Sequence, residues 1–195
     1  MLAKNKNKNL SLKIFGFLVL ICDRRFCTSY ESFKMPKSYP LNVLFLCTGN
    51  SARSIICEAI LNDVGNGKFS AWSAGSNPSA KPHPDALTEL LSRGHSIDHY
   101  NSKSWNELKA GPEMDIVITV CDNAAAESCP IFPGKSIKIH WPAADPVSVS
   151  DQGLRSIAFR KVYDMFYSYI TKLVSLPREE LNDETILQNI CDSRI

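Results

Sequence analysis

The stretch VLFLCTGNSARSIICE, residues 43–58, runs from an unbroken apolar segment through a turn of small and polar residues into a helical pattern. Val43–Cys47 shows no polar alternation, which is the signature of a strand covered on both faces, as in a parallel sheet. Ser54–Val64 then reads as a helix stopped by Gly65-Asn66-Gly67, and the two make a first βα unit. The join, Cys47-Thr48-Gly49-Asn50-Ser51-Ala52-Arg53-Ser54, carries side chains small enough for the backbone to wrap a ligand. Its amides then point inward and form a nest for a tetrahedral oxyanion, helped by the helix dipole. Gly49 and Asn50 tolerate the left-handed dihedrals such a loop needs, and Arg53 adds a planar fork for two oxyanion oxygens. The same positive surroundings stabilise a thiolate, so Cys47 is expected to have a lowered pKa and to act as a nucleophile, with the Ser54 hydroxyl donating to its sulfur. A merely structural cysteine at a strand end leaves the Gly, Asn, Ser and Arg of the turn unexplained.

Working outward, Phe69–Ser73 reads as a second strand closed by a turn over Ala74–Pro78. Asp85–Arg93 places Ala86, Leu87, Leu90 and Leu91 on one helical face, with Gly94 as its stop. A short helix is expected over Lys103–Leu108. Asp115–Cys121 is rich in β-branched residues and reads as a strand, and Ser136–His140 offers a fourth. Gly153–Val174 has the pattern of a long amphipathic helix burying Ile157, Phe159, Val162, Phe166, Ile170 and Leu173. Pro177 breaks it, leaving residues 177–195 as a tail or peripheral helix. Strands alternating with helices imply right-handed crossovers, a parallel sheet, and a site at the C-terminal strand ends, where both Cys47 and Cys121 fall.

The 195 residues carry 22 Lys/Arg and 20 Asp/Glu, a net charge of +2. Residues 1–34 hold 7 of those bases and 2 of those acids, leaving residues 35–195 with 15 against 18. That mildly acidic body has no basic stripe of the kind that binds nucleic acid. The seven cysteines, Cys22, Cys27, Cys47, Cys57, Cys121, Cys129 and Cys191, are odd in number and scattered. They do not suit a secreted disulfide scaffold, and no pairs stand at zinc spacing, so no metal is expected. The lysine-rich start and the apolar run Ile14–Cys22 imitate a signal peptide poorly, and the run is too short to span a membrane. Residues 1–34 are read as an extension upstream of a start at Met35, or as a weak signal-like segment, before a domain over residues 35–176. Thiol chemistry in that domain favours a reducing, cytoplasmic setting.

The motif C-x5-R-S after an apolar strand, here CTGNSARS, resembles the phosphate loop of the low-molecular-weight protein tyrosine phosphatases. The resemblance implies an α/β fold of three layers, a four-stranded parallel sheet flanked by helices. It also implies a general acid in an Asp-Pro loop, which here is Asp145-Pro146; read alone, Asp145 is an ordinary turn initiator. Ser73 would brace the phosphate loop. Cys121 and Cys129 flank a small, Ala-rich segment that a phosphatase does not need, whereas a reductase needs such a pair to pass oxidation on as a disulfide.

From Val43 to about Leu176, and most of all in CPIFPGKSIKIHWPAADP from Cys129 to Pro146, the chain is similar to the arsenate reductases built on that fold. Val147-Ser148-Val149 follow the Asp-Pro, where tyrosine phosphatases typically place aromatic residues. The similarity implies a thiol relay: Cys47 attacks arsenate, Cys121 attacks Cys47 in the adduct and frees arsenite, and Cys129 moves the disulfide outward. The reductant is then external, thioredoxin, or glutathione or mycothiol with glutaredoxin, and no tightly bound cofactor is implied. The second and third cysteines stand one residue further apart than is usual in the thioredoxin-coupled enzymes, and Ala52 takes the place of an extra loop cysteine found in many phosphatases. Cys57 reads as a small buried apolar side chain, His140 as a structural histidine, and Trp72 as core. Two alternatives stay open: a phosphatase whose extra thiols only protect it, and a noncatalytic oxyanion-binding module.

Overall fold

The computed structural model describes residues 40–121, 124 and 134–192; the extension over residues 1–34 and Cys129 lie outside them. Strands β1 (Leu41–Cys47), β2 (Phe69–Gly75), β3 (Ile116–Thr119) and β4 (Ile137–His140) pair in parallel in the order β2-β1-β3-β4. Between and after them come helices α1 (Arg53–Val64), α2 (Pro84–Ser92), α3 (Gln152–Ser175) and α4 (Glu184–Asp192). The expected four-stranded parallel sheet with flanking helices is thus the fold observed. Strand β2 lies on one side of β1, and β3 and β4 lie on the other. The C-terminal end of β1 is therefore the switch point at which open α/β sheets hold their ligands, and Cys47 occupies it.

The apolar run of β1 is buried on both faces because each face meets a different layer. Val43 and Phe45 pack with Ile55, Ile56 and Ile60 of α1 and with Phe159, Phe166 and Ile170 of α3. Leu44 and Leu46 face the other way, onto Ala74, Val117, Leu108 and Met114, with Trp72 and Trp105 at the edge of that cluster. Helix α1 is buried from Ser54 to Leu61, so it has no polar stripe and reads as a core helix. Trp141 is fully buried beside Phe45 and against the edge of Tyr169, and its indole N–H donates to the Leu187 carbonyl at 3.2 Å. That bond ties α4 to the sheet, with Leu187 and Ile190 buried beneath it.

Several local expectations change. Strand β2 continues through Ala74 and Gly75, where a turn was expected, because Gly75 pairs with Cys47 and its amide donates to the Lys103 carbonyl at 2.9 Å. The helix expected over Lys103–Leu108 is a 3₁₀ segment, Trp105–Ala110, started by a capping box between Ser104 and Glu107. Strand β3 is shorter than the apolar run suggests, though the Val120 amide still donates to Leu46 at 2.8 Å. Ile157 is 46% exposed rather than buried. It stands two residues before Phe159, which on a 3.6-residue helix is nearly the opposite side.

Cys57 is completely buried in α1, and burial pushes its thiol well above the ordinary 9.0, with Cys47 adding to the rise and Arg53 opposing it. A raised acid pKa means that the folded chain keeps its proton longer than the unfolded one. This contribution to stability is complete below the unfolded thiol value and drains away as pH climbs toward the folded value, by up to about 1.4 kcal/mol per pH unit. Thermal melts from neutral to alkaline pH are expected to fall more steeply for the wild type than for Cys57→Ala. Parallel curves would show that the thiol loses its proton over the same pH range folded and unfolded, and that burial does not raise it.

Candidate active site

The phosphate loop is shaped from outside. The carbonyls of Cys47, Thr48, Gly49 and Ser51 accept hydrogen bonds from the amides of Ser76, Asn77, Ser79 and His83, at 3.3, 3.0, 2.8 and 2.8 Å. In a trans peptide the C=O and N–H point opposite ways, so these contacts turn the following amides of Thr48, Gly49, Asn50 and Ala52 toward the other side of the loop. The Asn50 amide obeys this rule and donates to the Cys47 sulfur at 3.1 Å. Ala52, at the N-cap of α1, makes no side-chain cap, which leaves the first amides of the helix to whatever sits before them.

A cavity of about 250 Å³ opens there, lined by Cys47, Thr48, Gly49, Ser51, Ala52 and Arg53 from the loop and by Asp145 and Val147 from the facing segment. Asn50 and Ser54 stand behind it as supports, both fully buried. Ser54 Oγ lies 2.9 Å from the Cys47 sulfur. Arg53 donates to the Ala143 carbonyl at 3.0 Å and approaches Asp145 Oδ2 at 3.4 Å, so it fastens the Asp145 segment over the loop. Asp145 itself begins the 3₁₀ turn Pro146–Ser148 by accepting from the Val147 amide. Cys121, two residues past β3, is buried with its sulfur 3.6 Å from Thr48 Oγ1 and 3.4 Å from the Ala124 amide. Of the predicted site residues, only Cys129 lies outside the described residues.

Two expectations about this loop are corrected. Asn50 takes the left-handed conformation at φ 40°, but Gly49 does not; a side chain at residue 49 would instead press on Ser79 Oγ. The Cys47 thiol is raised above the ordinary value rather than lowered. Burial is the largest cause; hydrogen bonds from Ser54 and the Asn50 amide pull the other way, and Cys121 adds to the rise. The reason is that Cys47 is only 3% exposed, so its thiol has lost the water that would solvate a thiolate.

The supports behind the loop were only partly visible in the sequence. Asn50 Nδ2 donates to Ser54 Oγ and Ser73 Oγ, at 2.9 and 2.8 Å, which gives Ser73 its bracing role. Glu58 and Lys103, which meet this network, were missed. A signal for Glu58 existed: it is the one charged residue in the apolar stretch Ile55–Leu61, four positions after Ser54. His83 caps α2, stacks on Phe159 at 5.4 Å, and donates its amide to Ser51, holding the far end of the loop. His140 bonds to Thr119, and its backbone amide donates to Gln188, as a structural histidine does. Among the described residues no group of three or more His, Cys, Asp or Glu is arranged to hold a metal ion, and no helix is long and apolar enough to cross a membrane.

A cysteine at the end of the first strand of a parallel sheet, wrapped by a loop that leads into a helix, is the arrangement of the cysteine-dependent phosphatases and the enzymes that share their phosphate loop. Residues 42–186 match the family described as low molecular weight phosphotyrosine protein phosphatase, and the chain belongs to that family. Curated relatives include arsenate reductase 1 of Staphylococcus epidermidis, 35% identical over 53% of this chain and 76% of that protein. The arsenate reductase of Halalkalibacterium halodurans is 29% identical over 63% of this chain and 86% of its own length. Among solved structures, an arsenate reductase from Archaeoglobus fulgidus superposes with a TM-score of 0.55 at 26% identity, over 69% of this chain and 99% of that one. A thioredoxin-dependent arsenate reductase from Corynebacterium glutamicum gives 0.53 at 27% identity, over 70% of this chain, which spans 61% of that chain.

Proposed function

We propose that this protein reduces arsenate to arsenite by a relay through Cys47, Cys121 and Cys129, with thioredoxin as the electron donor. The observation that carries the reading is the second thiol: Cys121 reaches the rim of the phosphate loop, its sulfur 3.6 Å from Thr48. Hydrolysis of a phosphate ester needs one nucleophile and an acid, and it has no use for a second sulfur there. The arsenate reductases among the relatives support the substrate. The thioredoxin dependence of the Corynebacterium enzyme supports the donor.

In this reading dianionic arsenate sits in the loop, bound by the amides and Arg53, and takes the proton of the raised Cys47 thiol. The resulting thiolate attacks arsenic, forming an S–As bond, while an arsenate oxygen leaves as water with a proton from Asp145. The Cys121 thiolate then attacks the Cys47 sulfur. The S–As bond breaks, its electron pair stays on arsenic, and arsenite departs as a Cys47–Cys121 disulfide forms. Cys129 attacks Cys121, releasing Cys47 as thiolate, and the dithiol of thioredoxin reduces the Cys121–Cys129 disulfide. Two electrons enter and two leave per arsenate.

The test is arsenite production with NADPH, thioredoxin and thioredoxin reductase. Wild type is expected to turn over repeatedly and Cys129→Ser to stop after about one arsenite per molecule. A second reading, phosphate ester hydrolysis, draws on Asp145 beside the cavity, while the aliphatic Val147 offers a substrate ring nothing aromatic to pack on. Hydrolysis of an aryl phosphate with no arsenite from either protein would replace the first reading with the second.

A further inference from the structure

We propose that the Glu58–Lys103 pair is a positioning device for the nucleophile, setting the direction of the hydrogen bonds that end on the Cys47 sulfur. The inference rests on the reading of Cys47 as nucleophile and deepens it. Donor and acceptor counting carries the argument. Asn50 Oδ1 accepts from the Lys103 amide at 2.8 Å, which turns the Asn50 NH₂ group toward Ser54 Oγ and Ser73 Oγ. Both serine oxygens therefore accept from Asn50, and each hydroxyl has one proton left to give. Ser73 gives its proton to Glu58 Oε2. Ser54 Oγ lies 2.9 Å from the Cys47 sulfur, and once that thiol ionises the sulfur can only accept, so Ser54 gives its proton there.

Glu58 ends the chain because it is the acceptor that lets Ser73 donate. It is 8% exposed, and burial raises its carboxyl from the ordinary 4.5, opposed first by Lys103 and then by Ser73. The Lys103 ammonium stands 3.4 Å from the same Oε2 and favours the charged form of that carboxyl. Of the other titratable groups nearby, His99 favours the charged form and the Tyr100 phenol faces it as a neutral group. Without the ammonium, Glu58 loses the neighbour that most favours its charged form, and a weaker acceptor faces the Ser73 proton. Asn50 then loses part of its grip. That matters because the Asn50 side-chain bonds anchor the loop at the residue where it takes the left-handed φ of 40°. Once it relaxes, the sulfur loses the Asn50 amide at 3.1 Å together with an oriented Ser54.

Alkylation of Cys47 by iodoacetamide across pH, followed by mass spectrometry of the Cys47 peptide, tests this. It needs neither arsenate nor a reductant, so its outcome is separate from the identity of the substrate. Lys103→Met and Ser73→Ala are expected to raise the Cys47 pKa by about one unit and to slow alkylation at neutral pH about tenfold. Lys103→Arg is expected to follow the wild type, and Lys103→Ala to recover in methylammonium chloride but not in sodium chloride. A Lys103→Met profile that superimposes on wild type, whatever its melting temperature, overturns the proposal and leaves the pair as a structural ion pair. Should Lys103→Met fail to fold, the Ser73→Ala profile decides by the same criterion, since that change removes only a hydroxyl.

Discussion

Cys121→Ser is expected to bind arsenate and bond it to Cys47, yet to release essentially no arsenite. A serine hydroxyl keeps the contacts that hold residue 121, the 3.6 Å approach to Thr48 and the 3.4 Å bond from Ala124, so the fold and the cavity should survive. What is lost is the electron pair. Arsenic is reduced only when a second sulfur attacks the first and the S–As bond collapses onto arsenic, and an alkoxide does not form a stable S–O counterpart under these conditions. Steady-state arsenite formation should fall by on the order of 10³ or more, the scale of removing a reacting group. Intact mass after mixing with arsenate should show one arsenic adduct per chain, which added small thiol discharges slowly. Wild-type turnover by this variant would place the reducing thiol elsewhere and sink the relay.

The parts of this molecule that were legible in sequence are those set by local pattern. The apolar run of β1, the small residues of Thr48–Ala52 and the single Arg53 dictate strand, loop and helix within a few residues, and Asn50 carries the positive φ that the loop demands. What the sequence hid depends on partners brought in from far along the chain. The sequence offered only a turn over Ala74–Pro78, and the fold alone shows amides between Ser76 and His83 gripping four loop carbonyls. Lys103 figured in the sequence only as the start of an expected short helix, and the path from β2 to β3 brings its ammonium to Glu58, buried in α1. The direction of the Cys47 shift was misread for the same reason. Donors near a thiol can be counted in the sequence, but the depth of its burial, which dominates here, is set by the packing of α1 and α3 around it.

That dependence on distant packing predicts that Gly75→Ala will disable the site without touching a reacting group. Gly75 ends β2 directly beside Cys47, and the chain of the phosphate loop passes across it. A methyl at this position would run into the Thr48 carbonyl oxygen and lie 3.0 Å from the Asn50 amide and 3.1 Å from the Asn50 Cβ. Two of these three are backbone atoms, so no rotamer change relieves the contact; either the loop moves or β2 does. Strand β2 is pinned along its length to β1, and the Gly75 amide is bonded to Lys103. The loop is therefore the part that yields, carrying Asn50 off the sulfur. Overpacking of this kind costs about 1–3 kcal/mol of stability. Displacing an oxyanion cradle by roughly an ångström costs about a hundredfold in rate. Activity should accordingly fall by about two orders of magnitude while the variant still melts cooperatively a few degrees below wild type. The loss should appear in arsenate binding and in the alkylation profile of Cys47 alike. A Gly75→Ala protein with wild-type kinetics would mean that β2 gives way instead, and that the loop holds its shape without the strand beneath it.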